Sequence, residues 1–215
     1  MHSPVVRLEQ AYACALIEIK RSYMWFLVLG LFLFLGTHGL RIGGDGMRDR
    51  LLGRLGPANF KILYSLVSVL GFAMLIYGFG MARDAPVLLW TPPPAMKHVA
   101  YLLTLVAMVL MAAAYVPRNA IKAKLHHPMV LSVKTWALAH VLANGNLAHL
   151  ILFGSILLWS VLLFKASRAR DKRNQVVYAL GNRGSTILTL EIGMALWLVL
   201  LAWAHGWLIG VQVMP

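Results

Sequence analysis

Residues 24–40 read MWFLVLGLFLFLGTHGL, an apolar run in which His38 is the one ionisable side chain. A helix of this length nearly crosses a hydrocarbon core that is roughly 30 Å thick. Five more apolar blocks follow, none with the alternating pattern of a barrel strand, so we expect helices that satisfy their own backbone hydrogen bonds in lipid. The sequence predicts an all-α, polytopic transmembrane bundle of about six spans, at residues 24–40, 60–80, 98–116, 128–143, 147–164 and 186–213.

The composition excludes a soluble enzyme and a secreted disulfide scaffold. Hydrophobic residues make up 60% of the chain and charged residues 13%, whereas soluble domains are about half apolar and about a quarter charged. The net charge of +13 comes without a basic patch interleaved with aromatic residues, so we predict a lipid bilayer as partner and no nucleic acid. The single cysteine, Cys14, excludes an intrachain disulfide and a cysteine metal cluster, which leaves the eight histidines as candidate ligands.

Lysine and arginine residues are distributed unequally between the loops. The loops after spans one, three and five hold fourteen of them, and the opposite side holds five, including three in the N-terminal segment. The positive-inside rule therefore predicts that those three loops are cytoplasmic and that both termini lie outside. We accordingly expect a multi-pass membrane protein with this orientation.

The N-terminal segment 1–23 differs from the membrane domain, residues 24–215. It is mixed in polarity, and Glu18 followed by Lys20 and Arg21 excludes a signal peptide. Two interpretations stay open: the segment is an extension and Met24 is the true start, or it is a short amphipathic tail. Without it the charge bias sharpens from fourteen against five to fourteen against two, which favours Met24.

Two histidines are predicted to lie deep in the membrane. His38 is about 21 Å from the outer end of span one, and His140 is about 18 Å from the cytoplasmic end of span four. Two imidazoles at similar depth on different helices match the axial ligation of a haem b iron. The alternative is that each histidine hydrogen-bonds a neighbouring helix. The other membrane histidines are predicted to be interfacial rather than a metal site: His98, His149 and His205.

A lysine and a glutamate also fall within predicted spans. Lys134 lies about 9 Å into span four and Glu191 about 7.5 Å into span six, both from the cytoplasmic side. A lone charge near a helix centre costs roughly 2.5–3.5 kcal/mol. We therefore predict an intramembrane ion pair between them, structural rather than part of a proton relay.

Four stretches of the sequence resemble the NnrU family of bacterial membrane proteins. The most specific is HHPMVLSVKTWALAHVLANGN at residues 126–146, and the others are THGLR at 37–41, TPPPAMKHVAYLL at 91–103 and HGWLIGV at 205–211. The resemblance runs in order from Met24 to Met214. It implies a multi-pass protein of the bacterial inner (cytoplasmic) membrane. It also implies a link to denitrification gene clusters, that is, to nitrite and nitric oxide metabolism.

The NnrU family is in turn similar to 15-cis-zeta-carotene isomerase, a haem b enzyme of plants and cyanobacteria. That similarity implies that His38, in Thr-His-Gly-Leu-Arg, and His140, in Ala-Leu-Ala-His, are the haem iron ligands. The sequence departs from the isomerase at Ala137, where the enzyme has a cysteine. A cysteine–histidine ligand exchange is therefore excluded here, and isomerase activity does not follow from haem binding.

Three functional hypotheses remain, and whether the chain is an enzyme stays open. The first is a haem b protein with redox-linked or isomerase-like chemistry on a membrane-dissolved, lipophilic substrate. The second is a non-catalytic accessory protein that helps assemble a respiratory nitrogen-oxide reductase, its enzyme partner. The third is a membrane methyltransferase or reductase of the isoprenylcysteine methyltransferase type. It rests on His127-Pro128, which is similar to the start of a span in isoprenylcysteine methyltransferases and membrane sterol reductases.

Overall fold

The structure, a computed structural model, describes residues 23–43, 45–84 and 86–213. The segment 1–22, on which the two interpretations of the N-terminus bear, lies outside the described residues. The helices are α1 Tyr23–His38, α2 Asp45–Asp84, α3 Ala95–Tyr115, α4 Ala120–Leu125, α5 Pro128–Ala143, α6 Leu147–Arg173, α7 Arg183–Val199 and α8 His205–Ile209, with a π-helical turn, Leu200–Ala204, between α7 and α8.

Four helical stretches are long and apolar enough to cross a membrane: Gly46–Asp84, Ala95–Tyr115, Leu147–Arg173 and Arg183–Ile209. The helices α1 and α5 are shorter and also apolar. The prediction of an all-helical, multi-pass membrane protein is confirmed, since each of the six predicted spans coincides with one of these helices.

Two helices extend beyond the predicted spans because hydropathy marks the lipid-buried part of a helix and not its ends. The helix α6 continues nine residues past Phe164, through basic residues that are good helix formers. The helix α2 begins at Asp45 and is broken at Gly56, whose φ of 74° and ψ of 161° are not helical. Pro57 follows and has no N–H for a helical hydrogen bond, so a short helical segment precedes the spanning one.

The chain divides into two compact units. The first contains the residues up to Trp90 together with Asn146–Ser155, and the second contains Thr91–Gly145 and the residues from Ile156 onwards.

In the first unit, α1 and α2 pack with their backbones in contact. A Cβ atom on Gly30 would lie 2.5 Å from the Leu75 nitrogen, and one on Gly71 would lie 2.7 Å from the Phe34 nitrogen. A Cβ atom on Gly78 would meet the backbone of Leu27, whose own side chain is fully buried. Small residues at the crossing are what allow two apolar helices to gain close van der Waals contact in lipid.

In the second unit, α3 packs between α5 and α7. The Ser132 hydroxyl of α5 donates to the Ala107 carbonyl of α3 at 2.7 Å. On the other side, a Cβ atom on Gly193 of α7 would lie 2.5 Å from the Val109 Cα. The indole N–H of Trp197, one turn further along α7, donates to the Tyr101 carbonyl at 3.2 Å, so two successive turns of α7 are held against α3.

Buried Asn119 joins the end of α3 to the start of α4. Its side-chain amide donates to the Ala113 and Val116 carbonyls, and its side-chain oxygen accepts from the Lys122 N–H at 2.8 Å. The last carbonyls of one helix and the first N–H groups of the next are thereby satisfied by one side chain.

Candidate functional site

His38 is the last residue of α1, in the first unit. Its Nδ1 lies 2.7 Å from the Phe34 carbonyl oxygen. A carbonyl only accepts hydrogen bonds, so Nδ1 carries the proton and the lone pair of the neutral ring belongs to Nε2. The ring centroid lies 4.3 Å from that of Phe34 and 5.4 Å from that of Tyr64, so aromatic groups surround the half-buried imidazole.

His140 lies on α5, in the second unit, and has the same arrangement. Its Nδ1 donates to the Trp136 carbonyl at 2.9 Å, and its ring centroid is 4.8 Å from that of Trp136. Metal-binding histidines almost always donate one ring N–H to a fixed acceptor while the other nitrogen binds the metal. Each of the two predicted ligands therefore has the tautomer that ligation through Nε2 requires.

The other three membrane histidines, His98, His149 and His205, each have their own surroundings. His205 donates from Nδ1 to the Val211 carbonyl at 2.8 Å and is an electrostatic neighbour of His140. His149 lies 2.6 Å from the Asn146 side-chain oxygen, and His98 is exposed. Within residues 23–43, 45–84 and 86–213, no three histidine, cysteine or acidic residues form a cluster that could hold a metal ion.

The structure does not join Lys134 to Glu191. The Lys134 ammonium lies 5.5 Å from the ring centroid of Phe164, a cation–π contact with α6. Glu191 is exposed on α7, on the face opposite Gly193, which packs against α3. No ion pair links these two in the described part of the chain, because Glu191 faces away from the helices of its unit.

A second polar site was not predicted from the sequence. Asp171, near the end of α6, accepts a hydrogen bond from the Tyr178 hydroxyl at 2.8 Å and one from His127 Nε2 at 2.9 Å, both through Oδ2. His126 Nδ1 lies 3.8 Å from the same oxygen and is hydrogen-bonded to Arg168. We name these five residues the interfacial cluster. The side chain of Asp171 is 15% exposed and those of both histidines are 23% exposed, whereas the side chain of Arg168 is open to water.

The two histidines of the interfacial cluster have left-handed backbones. His126 has a φ of 57° and His127 a φ of 36°, immediately before Pro128 begins α5. Non-glycine residues in such conformations cost on the order of 1–3 kcal/mol each. His127 Nε2 donates to Asp171, so this hydrogen bond ties the strained turn at the start of α5 to the end of α6.

Comparison with family models identifies the family of the chain. The model described as NnrU protein matches residues 26–213. The chain belongs to the NnrU family. Comparison with curated proteins finds no match, and comparison with solved structures finds none either. The NnrU match includes His38, His140 and the whole interfacial cluster.

Alkaline titration tests the interfacial cluster of this NnrU-family protein. Burial, and then the hydrogen bond to Asp171 and its negative charge, raise the pKa of Tyr178 from 10.0 to about 12. Because the protonated phenol is the form favoured by folding, this contribution to stability is complete below about pH 10 and is lost as the pH rises towards 12. We expect the phenolate absorbance of wild type to exceed that of Tyr178→Phe by one late-ionising tyrosine.

Asp171→Asn provides the control for that titration. The variant keeps the size of the side chain and removes its charge, so the late tyrosine should ionise closer to pH 10. Identical titration curves for wild type and Tyr178→Phe above pH 10 would contradict the Tyr178–Asp171 hydrogen bond.

Proposed function

We propose that this NnrU-family membrane protein binds haem b, with His38 and His140 as axial ligands of the iron. The observation that supports this most directly is the shared tautomer of the two side chains. In each, Nδ1–H donates to the carbonyl four residues earlier, so the lone pair is on Nε2. A bis-histidine haem site needs two such nitrogens.

The residues around each histidine suit a porphyrin ligand. Phe34 and Tyr64 flank His38, and Trp136 flanks His140, which places aromatic surface beside each candidate ligand. The carbonyls of Phe34 and Trp136 fix the rings in orientation and make the imidazoles more basic. The bound haem would supply one-electron transfer or an iron centre for a lipophilic ligand.

The reaction served by that haem is proposed from the family resemblance. Denitrification, through nitrite or nitric oxide metabolism, is the first possibility, and isomerase-like chemistry on a membrane-dissolved substrate is the second. Ala137 is fully buried three residues before His140, so this position of α5 supplies no thiolate ligand. A redox change is therefore expected to leave both axial ligands as histidines.

The proposal is tested by the visible spectrum of the purified protein in detergent, oxidised and then reduced with dithionite. Expression with ample haem should give a Soret band and sharp reduced α and β bands. A featureless spectrum would refute the proposal. The remaining hypothesis would then be an accessory protein for a respiratory nitrogen-oxide reductase, in which His38 and His140 are packing residues or a transient haem-handling site.

A further inference from the structure

An open pocket of about 490 Å³ lies beside the interfacial cluster. Its lining includes His126, Arg168, Asp171, Lys172 and Gln175. The haem proposal uses none of these residues. Several of these side chains can donate hydrogen bonds, and the cluster beside them holds His126 and His127 in strained left-handed backbone conformations. Such a pocket is a candidate binding site.

The pocket lies at the depth of lipid headgroups. The apolar part of α6 runs from Leu147 to Phe164, about 27 Å, which nearly fills a hydrocarbon core. Arg168 and Lys172 follow on the next two turns, about 6 Å and about 12 Å beyond Phe164. They are four residues apart and so lie on the same face of α6. Both side chains line the pocket from this face.

The charge of the pocket favours an anion. The carboxylate of Asp171 already accepts hydrogen bonds from His127 and Tyr178, and the two cations Arg168 and Lys172 outnumber it in the pocket lining. Arg168 bonds to Nδ1 of His126 and has five N–H donors, more than this one bond uses. Because Nδ1 of His126 accepts that bond, the proton of the neutral ring is on Nε2, which can donate to a ligand. Lys172 adds a second full positive charge.

We propose that this pocket binds the phosphate group of an anionic phospholipid, with Arg168 and Lys172 as its cationic contacts. Guanidinium and ammonium groups are the usual protein partners of phosphate. Basic pockets at the cytoplasmic ends of transmembrane helices bind anionic headgroups. The positive-inside rule assigns this end of α6 to the cytoplasmic leaflet, where anionic lipids are enriched. Free phosphate has the same chemistry, but the headgroup depth of Arg168 and Lys172 favours the lipid.

The test uses the full chain in mild detergent, titrated with phosphatidylglycerol, with phosphatidylcholine or with inorganic phosphate. Native mass spectrometry counts the bound lipid. We expect phosphatidylglycerol to bind before phosphatidylcholine. The double variant Arg168→Gln/Lys172→Gln should weaken binding of the first phosphatidylglycerol by roughly tenfold or more.

The matched control is Lys124→Gln/Lys165→Gln. It removes the same charge from two exposed lysines near the same membrane face that do not line the pocket, and it should change binding by less than about twofold. Lys172→Gln alone alters one exposed side chain, so it keeps the fold while weakening the first binding step several-fold.

Three results would overturn the proposal. Phosphatidylglycerol could bind the double variant as tightly as wild type, or the control variant could lose as much affinity as the pocket variant. Inorganic phosphate could bind wild type but not the double variant while phosphatidylglycerol binds no better than phosphatidylcholine, which would identify a site for free phosphate and refute the lipid. The haem spectrum is independent of all three results.

Discussion

His38→Ala and His140→Ala should each abolish the sharp reduced α and β bands of the purified protein. Those bands require a six-coordinate iron with two strong nitrogen ligands, and alanine removes one of them. The remaining histidine would leave a five-coordinate iron with broad bands, or the haem would be lost during purification. The measurement is the reduced-minus-oxidised spectrum of equal amounts of wild-type and variant protein.

Two histidine variants serve as controls for this experiment. His98 is exposed on α3, and His205 donates from Nδ1 to the Val211 carbonyl, as the candidate ligands do to theirs. Both His98→Ala and His205→Ala should keep the spectrum of wild type. Loss of the bands in His205→Ala with retention in His38→Ala would reassign the ligand pair to His140 and His205.

Gly78→Ala should destabilise the protein by about 2–3 kcal/mol, a large effect for a single methyl group. The added Cβ would meet the backbone of Leu27, which no side-chain rotation can move away. The helices α1 and α2 would have to separate along their whole crossing, which also depends on Gly30 and Gly71. Thermal unfolding in detergent, followed by circular dichroism, measures the change.

Gly80→Ala is the matched control on the same helix, where an added Cβ would have no atom within 4 Å. Alanine is a better helix former than glycine by about 1 kcal/mol, so this variant should be as stable as wild type or slightly more so. Equal stability of Gly78→Ala and Gly80→Ala would show that α1 and α2 do not pack through Gly78.

The sequence predicted the helices well because each apolar run must become a helix in lipid. The helix α5 has the predicted bounds, since Pro128 suits a first helical turn and an Asn-Gly-Asn turn follows Ala143. The break at Gly56 and the π-helical turn were not predicted. The Gly56 break lies in a polar stretch without a periodic pattern. The π-helical turn lies inside an apolar run, and hydropathy does not distinguish a π-helical turn from an α-helical one.

The polar sites were harder to predict because the sequence gives the depth of a residue in the membrane but not the direction in which its side chain points around the helix. Lys134 and Glu191 were paired by depth alone, and the structure places Glu191 on the outer face of α7. Asp171 was not predicted to belong to a site, since His127, to which it is hydrogen-bonded, lies 44 residues earlier in the chain. Its position as the single acid among the basic residues 165–173, together with His126-His127-Pro128, is the signal that could have identified the cluster.

The π-helical turn Leu200–Ala204 holds one residue more than an α-helical turn would. Trp197, before the turn, faces α3, whereas the stacked pair Trp203 and Trp207 faces outwards. The extra residue thus acts as a phase shift of about 100° between two stretches of one apolar helix. Deleting a single residue here would restore the regular period and turn everything after it, His205 and Val211 together, by about 100° relative to Trp197. The Val213 carbonyl would then move away from the Tyr101 hydroxyl of α3 that donates to it, so the length of this turn decides which side of the helix end meets α3.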